Sequence, residues 1–189
     1  MAAFFIADTY FGDLHILRRR CWATSVADHD EQLIAGWNDR VGRMDEVWHL
    51  GDFAAGASRM RCAEIFARLN GTKRLIRGNH DTNRVLNLPW AEAPVESARI
   101  SVRDSCGAEH GLYLGHYAHR SWPGLWRGVR HLYGHTHATL PDTRRSCDVG
   151  VDAWHYRPVP LDAIIARQDG ATEWPEELAR APQQAGSLS

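Results

Sequence analysis

Residues 46–52 read Glu-Val-Trp-His-Leu-Gly-Asp, a strand-like apolar run that ends in a glycine and a carboxylate. The same order recurs at four other places, where a short apolar run is followed at once by a side chain that can ligate a metal. The five side chains are Asp8, Asp52, Asn79, His116 and His135. Glycine precedes four of them, which permits a sharp turn and removes a Cβ where loops crowd together. Because ligands collect beyond the carboxyl ends of strands in α/β sheets, the pattern predicts one shared site.

The first half of the chain alternates strand-like and helix-like stretches. The strand-like runs are 4–7, 46–50 and 74–76, and apolar residues follow helical spacing over 30–41 and 58–69. Asp28 and Asp30 are candidate N-caps of the first helix, and Gly71 follows the end of the second. This β-α-β-α-β order predicts an α/β fold with a largely parallel sheet covered by helices.

The second half has a different pattern. Strand candidates at 98–102, 112–114, 129–133 and 148–151 are separated by turn residues with little helix between them, which predicts a second sheet or an antiparallel extension. We expect one domain over residues 1–168. Residues 169–189 read as a polar, poorly ordered tail with one helical turn at 176–180.

Composition excludes several classes of protein. A chain of 189 residues with 44% hydrophobic and 24% charged residues is typical of one globular domain. The net charge of −1 argues against recruitment by nucleic acid or an acidic membrane, and no apolar run is long enough to span a bilayer. The first residues lack the cationic start of a signal peptide, and the four widely spaced cysteines predict reduced, mostly buried thiols. We therefore expect a cytoplasmic protein.

The types of the candidate ligands indicate a metal centre. Carboxylate and amide oxygens together with imidazoles suit manganese, iron, zinc, cobalt or nickel. His135 and His137 are separated by one residue, so both rings face the same side of an extended segment. Six candidate ligands are too many for one tetrahedral zinc and suit two metal ions that share a carboxylate.

These residues also form motifs. The sequence resembles the calcineurin-like metallophosphoesterase family from Phe4 to about Pro160. The resemblance rests on Gly-Asp at 51–52, Gly-Asn-His-Asp at 78–81, Leu-Gly-His-Tyr at 114–117 and Gly-His-Thr-His at 134–137, and shorter matches to compact bacterial and phage members lie at 36–38, 50–53 and 148–152. It implies a four-layer fold, in which two mixed β-sheets are flanked by helices and the metals lie at the carboxyl ends of strands.

The resemblance also implies roles for individual residues. The first metal ion would be held by Asp8, Asp52 and His137, with Asp52 bridging, and the second would be completed by Asn79, His116 and His135. His80 would face the substrate from outside the metal ligands, and Asp81 would orient it.

One position departs from the family. Tyr10 occupies the place of a histidine that would bind the first metal. Tyrosine could coordinate as a phenolate and favour Fe(III), could be replaced by water or by His15, or could leave the first site weak. We favour coordination, although a phenol must lose a proton of pKa about 10 to bind zinc. Asp13 is a candidate hydrogen-bonding partner of this site.

The expected activity is hydrolysis of a phosphoric ester by a hydroxide that bridges two metals, with a small or nucleotide-like phosphodiester as substrate. Two cations lower the pKa of a shared water toward about 7, and His80 protonates the leaving oxygen while Asn79 helps to hold the phosphoryl group. His119 and Arg120, which follow the His116 loop, are candidate substrate contacts.

Two alternatives remain open on the sequence. The first is a scaffold or binding protein whose metal centre has decayed, a reading that Tyr10 permits. The second is a nuclease, for which arginines 18–20 and 144–145 could follow a phosphate backbone. The net charge favours solvated surface arginines instead, so we expect no nucleic-acid or membrane partner. The sequence does not define the oligomeric state, and a homodimer is one option.

Overall fold

Residues 2–180, the part of the chain that the computed structural model describes, contain eight strands and five α-helices. The strands are β1 (Ala3–Ile6), β2 (Glu46–His49), β3 (Thr72–Leu75), β4 (Ser97–Arg103), β5 (Glu109–Gly115), β6 (Arg130–Tyr133), β7 (Ser146–Asp148) and β8 (Val159–Pro160). The α-helices are α1 (Val26–Arg40), α2 (Arg59–Arg68), α3 (Asn83–Leu86), α4 (Leu161–Asp169) and α5 (Glu176–Ala179).

The strands form two mixed, four-stranded sheets. In the first, with the order β3-β2-β1-β8, the first three strands are parallel and β8 is antiparallel to β1. In the second, with the order β4-β5-β6-β7, only β4 and β5 are antiparallel. The predicted α/β class and the parallel first half are confirmed, and the second half forms a separate sheet rather than an extension of the first.

Alternation along β1 explains how the layers pack. Phe4 and Ile6 lie in the core that the first sheet shares with α1 and α2. Phe5 points the other way, into a core that contains Leu112 and Leu114 of β5. Because successive side chains of a strand face opposite sides, one strand contributes to both cores. The two sheets therefore face each other, and α1 and α2 cover the outer face of the first.

The two sheets are joined just past the end of β1. The Ala7 N–H donates to Val149 O at 3.1 Å, and the Val151 N–H donates to Ala7 O at 3.0 Å. Since Asp8 follows Ala7 directly, this junction places the Asp8 carboxylate between the two sheets.

The start of the first helix differs from the prediction. α1 begins at Val26, and its N-cap is Ser25, whose hydroxyl accepts the Asp28 N–H at 3.1 Å. Asp28 therefore lies in the first turn, where a carboxylate favours the helix dipole, and Asp30 is a buried residue inside the helix. The end of α2 is close to prediction, with Gly71 in a left-handed conformation beyond it.

The segment after residue 148 also differs. The predicted strand at 148–151 is wrong, because β7 ends at Asp148 and Val151–Ala153 form a 3-10 turn. The helical turn predicted at 176–180 is present as α5, and Leu178 packs against Trp122 and its apolar neighbours. The predicted poor order of the tail concerns in part residues 181–189, which lie outside the described residues.

Two further findings concern cysteines and helices. Cys62 and Cys147 are buried, whereas Cys21 and Cys106 are exposed, and all four are free thiols, so the expectation of mostly buried thiols holds for two of the four. Across residues 2–180, no helix combines the length and the apolar character that crossing a bilayer requires.

Candidate metal centre

The predicted ligands do follow the carboxyl ends of strands. Asp8 follows β1, Asp52 follows β2, Asn79 follows β3, His116 follows β5 and His135 follows β6. The carboxyl ends of parallel strands meet at one edge of a sheet, and the junction of the two sheets brings both edges together. Asp8, Asp52 and His116 are almost completely buried there.

The backbone at these positions has a feature that the sequence does not reveal. Asp8, Tyr10, Asp52, His135 and His137 all adopt positive φ angles, between 48° and 65°. Residues other than glycine rarely adopt this left-handed conformation, and they concentrate at functional sites where the surrounding structure enforces it. Among the described residues other than glycine, five of the eight with positive φ are therefore candidate ligands, and the other three are Ala138, His155 and Tyr156.

One part of the cluster surrounds the Asn79 amide oxygen. Its Oδ1 lies 2.9 Å from His116 Nε2 and 3.0 Å from His135 Nδ1, and His116 Nε2 lies 3.5 Å from Asp52 Oδ2. His116 Nδ1 donates to the Leu50 carbonyl at 2.8 Å, which leaves the lone pair of Nε2 directed at these oxygens. One ligand atom from each of Asp52, His116 and His135 lies within 4.8 Å of the others.

A second part of the cluster contains the Asp8 carboxylate. Its two oxygens accept the His135 backbone N–H at 3.1 and 2.9 Å, and no arginine or lysine side chain of the described chain forms an ion pair with it. Burial, followed by repulsion from Asp148, raises the pKa of Asp8 to about 7. A buried carboxylate of this kind lacks a balancing charge, and a metal ion would supply one.

His137 lies beside Asp8, and its ring is held by the partly buried carboxylate of Asp152. Its Nδ1 donates to Asp152 Oδ2 at 2.7 Å, which leaves Nε2 available to a metal. Arg20 binds both oxygens of Asp152, with Nε at 3.0 Å and Nη2 at 2.8 Å. Burial alone would raise the pKa of Asp152, but the hydrogen bonds from His137 and Arg20 lower it well below its usual range.

The expectation that arginines 18–20 are all solvated is wrong for Arg20. Its side chain is fully buried, and Nη2 donates to the backbone oxygen of Asp8 at 2.6 Å. Nη1 donates to Thr9 O at 3.1 Å and contacts His29 Nε2 at 3.0 Å. Nothing in the sequence distinguishes Arg20 from its two neighbours, because the partners that explain its burial are distant along the chain.

Tyr10 donates its hydroxyl to Asp52 Oδ2 at 2.6 Å, which differs from the metal coordination that we favour on the sequence. Burial, with the nearby Asp52 carboxylate, raises the pKa of Tyr10, so the phenol is protonated here. Burial alone would also raise the pKa of Asp52, but the adjacent His116 ring and the hydrogen bonds from the Tyr10 hydroxyl and the His80 N–H outweigh it and hold the value at about 2. Asp52 is therefore ionised.

Asp81 has a different task from the one expected. Its carboxylate accepts backbone N–H groups from Asp52 at 2.9 Å, Phe53 at 2.9 Å and Gly78 at 2.8 Å. It forms no hydrogen bond with the ring of His80 among the described residues, so it does not orient that ring. Asp81 instead holds together the two loops that carry Asp52 and Asn79.

Asp148 performs the same task on the opposite side of the site. Its Oδ2 accepts the Thr136 hydroxyl at 2.6 Å and the Ala138 N–H at 2.9 Å, and its Oδ1 accepts the Gly150 N–H at 2.6 Å. These bonds shape the loop from His135 to His137. The sequence places Asp148 within a short family match and assigns it no role.

Three of the four glycines before the candidate ligands are required by close contacts, whereas a Cβ at Gly115 would lie 3.5 Å from its nearest neighbour. A Cβ at Gly78 would lie 2.3 Å from Asp52 Oδ1, and one at Gly51 would lie 2.4 Å from His116 Nδ1. At Gly134 it would lie 2.8 Å from Asp8 Oδ2. Real Cβ atoms do not approach other atoms so closely, so the expectation that glycine removes a Cβ from crowded loops is confirmed at these positions.

An open cavity of about 650 Å³ adjoins the cluster, and Tyr10, His80 and His137 line it together with the segment that follows residue 12. The His80 side chain is exposed, and its backbone N–H donates to Asp52 Oδ1 at 2.8 Å. Asp13 also lines the cavity, but its carboxylate accepts the His15 N–H at 2.7 Å rather than contacting a candidate ligand.

The two candidate substrate contacts lie elsewhere. The Arg120 side chain is exposed and pairs with Glu176. The His119 backbone N–H donates to His131 Nε2 at 3.1 Å, and the His119 ring packs near that of Tyr113. The structure does not bring either residue to the cluster, because the loop after His116 turns toward the C-terminal segment instead.

Three of the predicted ligands, Asp52, His116 and His135, lie close enough together to hold a metal ion. Asn79 Oδ1 contacts both histidine rings, and Asp8 and His137 lie nearby. Hard oxygens mixed with imidazoles suit manganese, iron, cobalt, nickel or zinc. The converging lone pairs and the unbalanced Asp8 carboxylate are both explained by bound cations.

Comparisons with other proteins agree with the fold. No family model matches the chain. A protein of unknown function from Aquifex aeolicus has a similar structure, with a TM-score of 0.59 and 17% identity over 86% of this chain and 97% of that one, a likeness that shows the fold alone.

Sequence relatives show the family. An uncharacterized protein of Methanocaldococcus jannaschii is 29% identical, with 86% of this chain and 88% of that protein aligned. The Gene 66 protein of Mycobacterium phage L5 is 30% identical over 79% of this chain and 86% of its own length. The Gene 66 protein of Mycobacterium phage D29 is 32% identical, with 85% of this chain and 92% of its own length aligned. The chain therefore belongs to the family of the mycobacteriophage Gene 66 proteins.

Proposed function

We propose that this protein is a dinuclear-metal hydrolase of phosphoric esters of the calcineurin-like metallophosphoesterase type. The observation that carries the proposal is the convergence of oxygen and imidazole donors from five strand ends around Asp52. Within this reading the substrate is a small or nucleotide-like phosphodiester.

The packing of the sheets supports the same proposal. Two mixed sheets face each other, and α1 and α2 cover the outer face of the first. Trp122, Leu125 and Val129 form an apolar cluster with Tyr113 of β5, outside the second sheet. We propose that this arrangement is a variant of the four-layer fold of that family, in which irregular structure takes the place of a full outer helix layer.

The ligand assignment is the one that the family resemblance implies, and the distances among Asp52, Asn79, His116 and His135 support it. Asp8 and His137 would hold one ion, Asn79, His116 and His135 the other, and Asp52 both. When bound, two such ions supply Lewis acidity toward phosphoryl oxygens and activate water at neutral pH. Arg20 and Asp152 keep the His137 ring oriented, and the Leu50 carbonyl does the same for His116.

His80 is the proposed proton donor to the leaving oxygen. Its ring is exposed to the cavity beside Tyr10, while its backbone is fixed by the Asp52 carboxylate. General acids of this kind contribute about 10²–10⁴-fold to a rate. Asn79, next to His80, places its amide oxygen between two imidazoles and can contact the phosphoryl group from the same loop.

Hydrolysis of bis- and mono-p-nitrophenyl phosphate tests the proposal. Each would be assayed with manganese, iron, cobalt, nickel and zinc, alongside metal analysis of the same samples. We expect preference for the diester and two ions per chain. His80→Ala should lower kcat by about 10²-fold or more with the metal content unchanged, whereas His155→Ala, at an exposed position away from the cluster, should match the wild type. Absence of hydrolysis with two ions bound would contradict the proposal.

A further inference from the structure

Two of three consecutive arginines line the cavity, and the three differ sharply in environment. Arg20 is buried among the partners described above. Arg18 and Arg19 are exposed, line the cavity with His80, and form no ion pair with any carboxylate of residues 2–180. Two guanidinium groups thus remain available beside the site.

The backbone that carries Arg18 and Arg19 is firmly anchored. Residues 15–18 form a 3-10 turn whose Ile16 side chain is buried. The N–H groups of Arg19 and Arg20 both donate to Ile16 O at 3.0 Å. Because Ile16 and Arg20 are held in the core on either side, the backbone of the two exposed arginines is fixed. A fixed backbone reduces the entropy that is lost when their side chains bind a ligand.

The charge of the cavity favours an anion. Among the described residues that line it, Asp13 is the one with a carboxylate, and one of its oxygens already accepts the His15 N–H. Arg18 and Arg19 together outweigh that charge. Guanidinium groups bind phosphate through paired N–H groups, so two of them suit one phosphate well.

We infer that Arg18 and Arg19 bind a second phosphate of the substrate, carried by the leaving group on the His80 side of the cavity. This inference rests on the proposed function, which assigns the scissile phosphate to the metal ligands and the leaving oxygen to His80. The substrate class is then a small phosphodiester whose leaving group carries a second phosphate, of the size of a nucleoside bisphosphate. The cavity, at about 650 Å³, has the volume of a small-ligand site.

Calorimetric binding tests the inference without turnover. Thymidine 3′,5′-bisphosphate would be compared with thymidine 5′-monophosphate and thymidine 3′-monophosphate on the manganese-loaded protein. We expect the bisphosphate to bind at least about 10-fold more tightly than either monophosphate. The double variant Arg18→Ala/Arg19→Ala should reduce that ratio to about 2 or less. The double variant Arg40→Ala/Arg43→Ala removes the same charge from exposed positions outside the cavity and should keep the ratio.

Two results would overturn the inference: equal binding of bisphosphate and monophosphates by the wild type, or a preference that survives in Arg18→Ala/Arg19→Ala. Neither result depends on hydrolysis of bis-p-nitrophenyl phosphate. The hydrolysis assay can therefore contradict the proposed function while the preference for the bisphosphate is observed, and hydrolysis can be observed without that preference. A ten-nucleotide oligothymidylate provides a third arm. If the oligothymidylate bound at least 10-fold more tightly than the bisphosphate, with a steep salt dependence, the arginines would be assigned to binding a nucleic-acid backbone. That result would overturn the inference of a small substrate.

Discussion

The Asp81 carboxylate accepts the backbone N–H of Asp52 at 2.9 Å and thereby holds the central ligand of the site in a left-handed conformation with φ of 59°. The same carboxylate binds the N–H groups of Phe53 and Gly78, so one side chain joins the loops after β2 and β3. Burial raises the pKa of Asp81 despite these bonds. The position of Asp52 thus depends on a residue that is not itself a proposed ligand.

Asp81→Asn should weaken metal binding by about 10- to 100-fold, because an amide NH₂ cannot accept the N–H groups that the carboxylate accepts. The unsatisfied N–H groups should also lower the free energy of unfolding by about 1–3 kcal/mol. Metal titration and urea unfolding measure the two effects. Asp45→Asn is the matched control, because Asp45 accepts the N–H groups of Ala2 and Gly42 at an exposed site. Equal metal affinity in Asp81→Asn and the wild type would contradict the assigned role.

Gly78→Ala should abolish binding of at least one metal ion. The new methyl group would lie 2.3 Å from Asp52 Oδ1 and 2.4 Å from its backbone nitrogen, so the Asp52 loop would have to move. Gly170→Ala introduces a methyl group at 3.4 Å or more from its neighbours and serves as the control. Metal content after dialysis gives the readout, and a Gly78→Ala protein that retains two ions would show that the crowding has no consequence.

The variant Tyr10→Phe tests whether the Tyr10 hydroxyl is a hydrogen-bond donor or a metal ligand. Since the hydroxyl donates to Asp52 and burial keeps it protonated, we expect iron-loaded wild-type protein to show no phenolate-to-iron absorption band. The variant should bind two ions with an affinity reduced by about 10-fold, through loss of the hydrogen bond to Asp52. Tyr117→Phe is the control, because the Tyr117 ring lies 4.6 Å from that of His135. A visible band that Tyr10→Phe removes and Tyr117→Phe retains would establish coordination.

His131 makes stability depend on pH. Its ring is fully buried, with Nδ1 donating to Tyr113 O at 3.0 Å, and burial lowers its pKa to about 4. Because this value lies below the ordinary 6.5, the unfolded chain binds the proton first as pH falls. The contribution of the neutral ring is therefore complete above pH 6.5 and is lost as pH falls toward 4, by up to about 3 kcal/mol.

His131→Gln should flatten the dependence of the free energy of unfolding on pH between 4 and 6.5. Urea unfolding across this range measures the slope. His155→Gln, at an exposed histidine, should keep the wild-type slope. Indistinguishable slopes in His131→Gln and the wild type would show that the burial of His131 does not couple folding to protons.

Much of the site can be predicted because it obeys local rules. Gly51, Gly78 and Gly134 precede ligands at strand ends, and the close contacts at these glycines are the ones that such crowding requires. The strands of the first half are correct to within one or two residues, since their apolar runs are bounded by turn residues. Local patterns of this kind are visible in one sequence.

What could not be predicted depends on contacts between distant residues. Arg20 meets Asp152 across 132 positions, and neither residue carries a local signal of the other. The partners of Asp81 are backbone groups, which no side-chain pattern identifies. The helix α4 is absent from the sequence prediction, although its buried residues Leu161, Ile164 and Gln168 follow helical spacing. The glutamine among them weakens the apolar pattern.

The most direct measurement is anomalous diffraction from a crystal grown with excess manganese. The account predicts two peaks, one on either side of the Asp52 carboxylate, the first within coordination distance of Asp8 and His137 and the second of Asn79, His116 and His135. A single peak that does not touch Asp52, or no peak among these side chains, would contradict it.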